Sequence, residues 1–201
     1  MGKIVAVVGN TGAGKTTLVR ALCRQREFNL GLEQHTERPF QELFKNDPRY
    51  ALANQVDYLL QRAKQEVFLR EQSGYGLIDG GLDLDYYGFT HLFHSKGFLT
   101  NEEFSLCKDL YQFCRSFLPG PDLFIHLKVD IKTLSTRLSR RVRINIAQPP
   151  DLELFDSFLN SWLERIPQDK ILSIEASDED KNFIRIIPII LDKLDSLNIK
   201  Y

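Results

Sequence analysis

Cysteine is scarce in this chain. Its three residues, Cys23, Cys107 and Cys114, are scattered and none stands in C-x-x-C spacing, so neither a disulfide framework nor a zinc site is signalled and all three are expected to serve packing. A surplus of either charge is also missing. Twenty-six Lys and Arg stand against 27 Asp and Glu, a net charge of −1, which leaves no electrostatic footprint for a nucleic acid polymer or an anionic membrane. No apolar run approaches the roughly 18 residues of a membrane span. No charged-then-apolar leader precedes the first apolar run, so the expectation is a cytoplasmic protein without membrane association. Internal repeats, low-complexity tracts and linkers are likewise absent, and 201 residues with 43% hydrophobic content suit one soluble globular domain over 1–201.

What is present begins at Ile4-Val5-Ala6-Val7-Val8, an apolar run that leads into Gly9-Asn10-Thr11-Gly12-Ala13-Gly14-Lys15-Thr16 and then into Leu18, Val19, Ala21 and Leu22 at helical spacing. Strand, G-x-x-x-x-G-K-T loop and helix form the context that a phosphate-binding P-loop (Walker A) requires. Backbone N–H groups of residues 9–14, with those of the first helical turn from Lys15 through Thr17, converge on one point and suit an anion of several oxygens. Lys15 reaches the β- and γ-phosphates of a nucleotide such as ATP, and the Thr16 hydroxyl meets Mg²⁺. The bland alternative is a glycine-rich turn that binds nothing.

Along the rest of the chain, strands are expected at 28–32, 75–79, 123–127 and 171–174. A loop is expected over 34–40, where Pro39 disfavours helix at Arg38. Apolar residues stepping by threes and fours predict helices over 49–71, 86–94, 102–117, 152–166 and 178–194, with Thr100 or Asn101 as one N-cap, Asp130 as another, and a kink or restart at Pro188. Strands alternating with helices, without hairpin signals, imply right-handed crossovers. The expected fold is a three-layer α/β/α sandwich on a five-stranded parallel sheet. Asp79 ends a buried strand, where parallel sheets hold ligands, and Gln55 and Arg62, seven apart, share a helix face.

In order and spacing, Glu37-Arg-Pro-Phe40, Asp47-Pro-Arg-Tyr50, Gln55 with Arg62, Asp79-Gly-Gly-Leu-Asp-Leu-Asp85 and the arginines from 137 to 143 resemble the deoxynucleoside kinase family over nearly the whole chain. The resemblance implies a P-loop nucleoside or nucleotide kinase fold and a homodimer through the helices at about 49–72 and 101–117. It adds Asp85 to a base-reading set with Gln55 and Arg62, and places Phe44 where the family has a Tyr near the sugar 3′-hydroxyl. It also marks departures: Gly80 stands where the family has an Arg beside the reacting 5′-oxygen, and Ile144-Asn145 where it has an acid after the lid arginines.

Phosphoryl transfer from ATP needs in-line positioning, charge neutralisation and a base for the attacking hydroxyl. Glu37 is the candidate base, with Glu33 behind it, unless Glu37 merely pairs with Arg38. Asp79 binds Mg²⁺ directly or through water, or else caps the next turn. Gln55 and Arg62 read a nucleobase edge or are solvated helix residues. Arg137, Arg140, Arg141 and Arg143 are the solvated end of a helix, or an arginine-rich lid at about 137–148 that closes on the triphosphate, with Arg141 and Arg143 acting in catalysis and Arg137 and Arg141 holding the donor. Asp83 is a further candidate metal ligand or base. His91 and His94 are expected to pack, because no third ligand suggests itself. Three functions fit: a kinase that phosphorylates the deoxynucleoside 5′-hydroxyl in nucleotide salvage; a P-loop kinase for a nucleoside monophosphate or another small metabolite; and a nucleotide-binding switch, against which stands the lack of an N-K-x-D motif.

Overall fold

A computed structural model describes residues 2–31, 38–139, 149–178 and 182–198. Glu33, Glu37, Arg140, Arg141, Arg143, Ile144 and Asn145 lie outside the described residues. Five strands, β1 (Lys3–Gly9), β2 (Asn29–Gly31), β3 (Tyr75–Asp79), β4 (Leu123–Lys128) and β5 (Ile171–Glu175), form one sheet in the order β2-β3-β1-β4-β5. All four pairings are parallel.

The central strand shows why both faces must be covered: Ile4 through Val8 are wholly buried. Alternate side chains point to opposite faces. Val5 and Val7 enter a core built with α1 (Lys15–Cys23), α7 (Ile131–Ser139) and α9 (Ile186–Asn198), while Ala6 and Val8 enter a second core. That second core takes in α3 (Ala51–Glu71), α6 (Asn101–Phe117), α8 (Leu152–Leu163) and the helical stretch that follows β3. The outcome is the expected three-layer sandwich.

Local differences have identifiable causes. Residues 39–40 open a helix, α2 (Pro39–Asn46), instead of continuing the loop, because Pro39 sits at its first position, where a missing N–H costs nothing. The helix expected from 86 begins earlier, as α4 (Leu82–Leu84), and runs through a π-helical turn (Asp85–Thr90) into α5 (His91–Ser95). The last helix starts at Ile186 instead of 178. Pro188 then falls in its first turn, where the ring meets no preceding helical carbonyl. Thr100 is the N-cap of α6, in a reciprocal capping box with Glu103, and the Asp130 carboxylate accepts from the Thr133 N–H.

Candidate active site

The phosphate cradle is built at the carboxyl end of β1. Gly14 caps α1 in the left-handed region, at φ 101°, where a residue with a Cβ is strained. The Asn10 side chain ties the loop down. Its Oδ1 accepts from the Thr11 N–H at 2.8 Å, and its Nδ2 donates to the Leu152 carbonyl of α8 at 2.9 Å. The Lys15 ammonium donates to the carbonyls of Gly9 and Asn10 at 2.9 and 3.0 Å, which folds its charge over the loop. The Thr16 hydroxyl donates to Asp79 Oδ2 from the neighbouring strand end. Hydroxyl and carboxylate therefore stand together, a donor set that suits Mg²⁺ with phosphate and water completing its shell. Arg137 braces the cradle from α7, donating to the carbonyls of Ala13, Ala176 and Ser177 at 3.1–3.3 Å. Thr17 is half-buried in the first turn of α1.

The second wall comes from α3. Gln55, Arg62 and Glu66 lie on one stripe of that helix, and all three are buried. Arg62 Nε donates to Asp85 Oδ2 at 2.6 Å, and Gln55 Nε2 to the Asp85 carbonyl at 3.0 Å. The Thr90 hydroxyl donates to that same carbonyl at 3.1 Å, within the π-helical turn. The structure thus brings Gln55, Arg62 and Asp85 together. Phe44 packs in an aromatic cluster, with ring centroids 5.0 Å from Phe93 and 5.6 Å from Phe98. Arg38 is bound by both carboxylate oxygens of Asp57.

Sequence reasoning misses the clamp behind this wall. Arg115 of α6 donates to both oxygens of Glu66, at 2.6 and 3.0 Å, and to both oxygens of Asp83, at 3.0 and 2.7 Å. The Tyr111 hydroxyl also donates to Asp83, at 2.7 Å. Asp83 is therefore engaged inside the protein, away from the metal or base role considered for it. Burial works against the Arg115 charge, yet the two carboxylates hold its guanidinium above the usual range; burial beside Asp83 pushes the Tyr111 phenol up as well. The one sequence signal for the clamp is that Glu66 continues the Gln55–Arg62 stripe. His91 packs among Tyr86, Tyr87, Phe104 and Phe158, and burial lowers its pKa. Among the described residues no cluster of three His, Cys, Asp or Glu could hold a metal.

The family model for deoxynucleoside kinase matches residues 5–187. The deoxyadenosine/deoxycytidine kinase of Bacillus subtilis (strain 168) is 27% identical over 143 residues, 70% of this chain and 66% of that protein. The deoxyadenosine kinase of Dictyostelium discoideum is 27% identical over 164 residues, 81% of this chain and 66% of that protein, so the chain spans just under two thirds of both. The B. subtilis deoxyguanosine kinase is 27% identical, with 88% of this chain and 87% of that protein covered. Among solved structures, M. mycoides deoxyadenosine kinase with dCMP and dCDP bound superposes with a TM-score of 0.80 at 21% identity, over 96% of this chain and 99% of that one. Its dATP complex gives 0.79 at 21% identity, over 95% and 98%. These structures share the fold, and the match of the family model over most of the sequence goes further: the chain belongs to the deoxynucleoside kinase family.

Proposed function

We propose that the protein transfers the γ-phosphoryl group of ATP to the 5′-hydroxyl of a deoxynucleoside, with Mg²⁺, as a step of nucleotide salvage. One observation carries this reading: the stretch from Asp79 to Asp85 joins a donor site to an acceptor wall. At one end Asp79 meets Thr16 of the P-loop, and at the other Asp85 is held by Arg62 and Gln55. A phosphate cradle alone fits any P-loop protein, but a buried polar wall a few residues away is what an acceptor requires. The names of the relatives point to the same acceptor class.

In this reading the N–H groups of residues 9–14 and Lys15 hold the β- and γ-phosphates, with Thr16 and Thr17 at the head of α1. Mg²⁺, held by Thr16 and Asp79, supplies charge neutralisation on the phosphate oxygens. Glu37 takes the proton of the 5′-hydroxyl as its oxygen attacks phosphorus. Gln55 and Arg62 face the base together with Asp85, and Phe44 lines the acceptor side. Arg141 and Arg143 close over the triphosphate from a lid at about 137–148, and Arg137 and Arg141 hold the donor. The whole forms a single kinase domain over 1–201. No helix of the described residues is long and apolar enough to cross a membrane. The free thiols of Cys23, Cys107 and Cys114 suit the reducing cytoplasm, where we place the reaction. A second copy of the chain is the proposed partner, on the apolar face shared by α3 and α6; no polymer or membrane is invoked.

Gly80 favours one competing reading, a small acceptor other than a deoxynucleoside, since no side chain stands there to meet a 5′-oxygen. An ATP-consumption screen across deoxynucleosides and nucleoside monophosphates separates the two. Turnover highest with a deoxynucleoside supports the proposal, and faster turnover of a monophosphate overturns it.

A further inference from the structure

The stretch from Asp79 to Asp85 is held differently along its length. Its first residues continue the sheet: Asp79 is the last residue of β3, paired with Val7, and the Gly80 N–H donates to the Val7 carbonyl of β1 at 2.9 Å. Beyond them the chain turns through Gly80 and Gly81, at φ 88° and 105°, a region that residues with a Cβ rarely adopt. Glycine brings no side chain with which to fix such a turn and has the most backbone freedom to lose. Leu82 and Leu84 of α4 are buried in the second core. Apolar burial is non-directional, however, and sets neither the rotation nor the depth of so short a helix.

Direction comes from the polar cluster behind the wall. Glu66 of α3 accepts from the Leu82 backbone N–H at the start of α4 and from two nitrogens of Arg115, at 2.6 and 3.0 Å. The same guanidinium donates to both oxygens of Asp83 at 3.0 and 2.7 Å, and the Tyr111 hydroxyl of α6 adds a bond to Asp83 at 2.7 Å. One planar group thus ties α6 to α3 and to α4 at once, in directions that its fork dictates. Glu66 and Asp83 are buried, two carboxylates against one guanidinium. Such a cluster is a weak source of stability, because apolar residues of similar volume often serve a core as well or better. What apolar residues would not supply is the fixed geometry.

We propose that Arg115 is a positioning residue for phosphoryl transfer: through Glu66 and Asp83 it fixes the turn from Gly80 to Asp85, and with it the placement of the acceptor wall relative to the phosphate cradle. The inference rests on the reading above, in which this stretch joins a donor site to an acceptor wall. Asp85 follows Asp83 in the same helical stretch and accepts from Arg62, so a shift of Asp83 is carried to the wall. The cradle, held by β1 and α1, stays where it is. In-line transfer tolerates little displacement, and a misplacement of about 1 Å from a remote substitution costs about 10²-fold in rate.

The test compares the wild type with Arg115→Lys and with the triple variant Arg115→Met/Glu66→Gln/Asp83→Asn, which removes all three charges together and leaves no carboxylate buried alone. Each is assayed with the acceptor that the wild type turns over best, and amide hydrogen exchange is followed in peptides spanning 80–85 and 4–9. The triple variant is expected to show a kcat about 10²-fold lower, a KM for ATP within a few fold of the wild type, and faster exchange at 80–85 but not at 4–9. Arg115→Lys keeps the charge without the fork, and its kcat is expected to fall between the two. A clamp that only stabilises the fold predicts wild-type kcat in the folded fraction and faster exchange in both segments. That result overturns the proposal, as does a loss confined to the KM for ATP. Should the triple variant not fold, Arg115→Lys decides: lower kcat with faster exchange confined to 80–85 supports the role, and wild-type kcat overturns it. A wild type that prefers an acceptor other than a deoxynucleoside refutes the functional reading alone, and the same kcat loss on that acceptor then supports the role of Arg115 while its absence overturns it. A wild type that transfers to no acceptor overturns both.

Discussion

At the scale of single residues, the proposed chemistry separates into a base and a reader. Glu37 has to receive a proton only while the 5′-oxygen attacks. Glu37→Gln is therefore expected to lower kcat by roughly 10²- to 10⁴-fold while the KM for the acceptor moves only a few fold. Steady-state kinetics checks this, and the same loss in Glu33→Gln instead would place the base at the end of β2. Gln55 acts differently. Its Nε2 is tied to the Asp85 carbonyl, which orients the amide toward one hydrogen-bonding pattern. A site that pairs a base edge rejects bases that leave its buried groups unpaired, by up to ~10⁴-fold. Gln55→Ala is expected to flatten the ranking of deoxynucleosides with little effect on ATP affinity, and an unchanged ranking contradicts the assignment. The cradle residues were legible in the sequence because G-x-x-x-x-G-K-T encodes backbone geometry locally. The Gln55–Arg62 stripe was legible through its spacing of seven. The Arg115 clamp was not, because Glu66, Asp83 and Arg115 come from three separate elements and an ion pair across elements leaves no periodic trace.

At the scale of elements, the helical stretch after β3 and the strand β4 show how local structure serves the site. The π-helical turn at Asp85–Thr90 widens the helix where the Asp85 carbonyl accepts from both Gln55 and Thr90. Such a turn cannot be foreseen from apolar spacing, which drifts little over one turn. Strand bounds were legible to within a residue at β3, β4 and β5, where apolar runs end at turn residues. The start of α9 was not, since the apolar pattern continues upstream of the residue at which the helix begins. Within β4, His126 is buried, and desolvation beside Lys128 lowers its pKa from 6.5 to about 4, Asp156 opposing. The unfolded chain therefore binds a proton that the folded chain refuses. Stability attributable to this group is complete above pH 6.5 and is lost as pH falls toward about 4. From pH 7 to pH 5 the loss is about 2 kcal/mol. Urea denaturation at the two pH values checks this: His126→Gln is expected to remove that part of the slope, and an unchanged slope contradicts it.

At the scale of the whole molecule, the order β2-β3-β1-β4-β5 sets the P-loop after the central strand with the Asp79 strand end beside it, so both stand at the carboxyl end of the sheet. The alternation of strand and helix made that architecture legible, although strand order itself follows from packing that no single segment records. On the outer layer, Leu60, Val67 and Phe68 of α3 lie exposed beside Leu106, Phe113 and Phe117 of α6, with Phe113 67% exposed. An apolar face on two adjacent helices calls for a cover, and the proposed cover is a second copy of the chain. Light scattering is expected to give twice the chain mass for the wild type and a single mass for Phe113→Glu. A monomeric wild type contradicts the pairing.

The account as a whole stands on transfer to a 5′-oxygen from a triphosphate held by the P-loop. Phosphorus NMR of the product formed from a deoxynucleoside, ATP and Mg²⁺ tests that most directly, with Lys15→Ala as the paired control, since removal of that cation is expected to abolish turnover. The predicted result is a new monophosphate resonance coupled to the 5′ protons in the wild type and none in Lys15→Ala. A phosphate on another oxygen, a product formed equally by Lys15→Ala, or no product from any deoxynucleoside would contradict it.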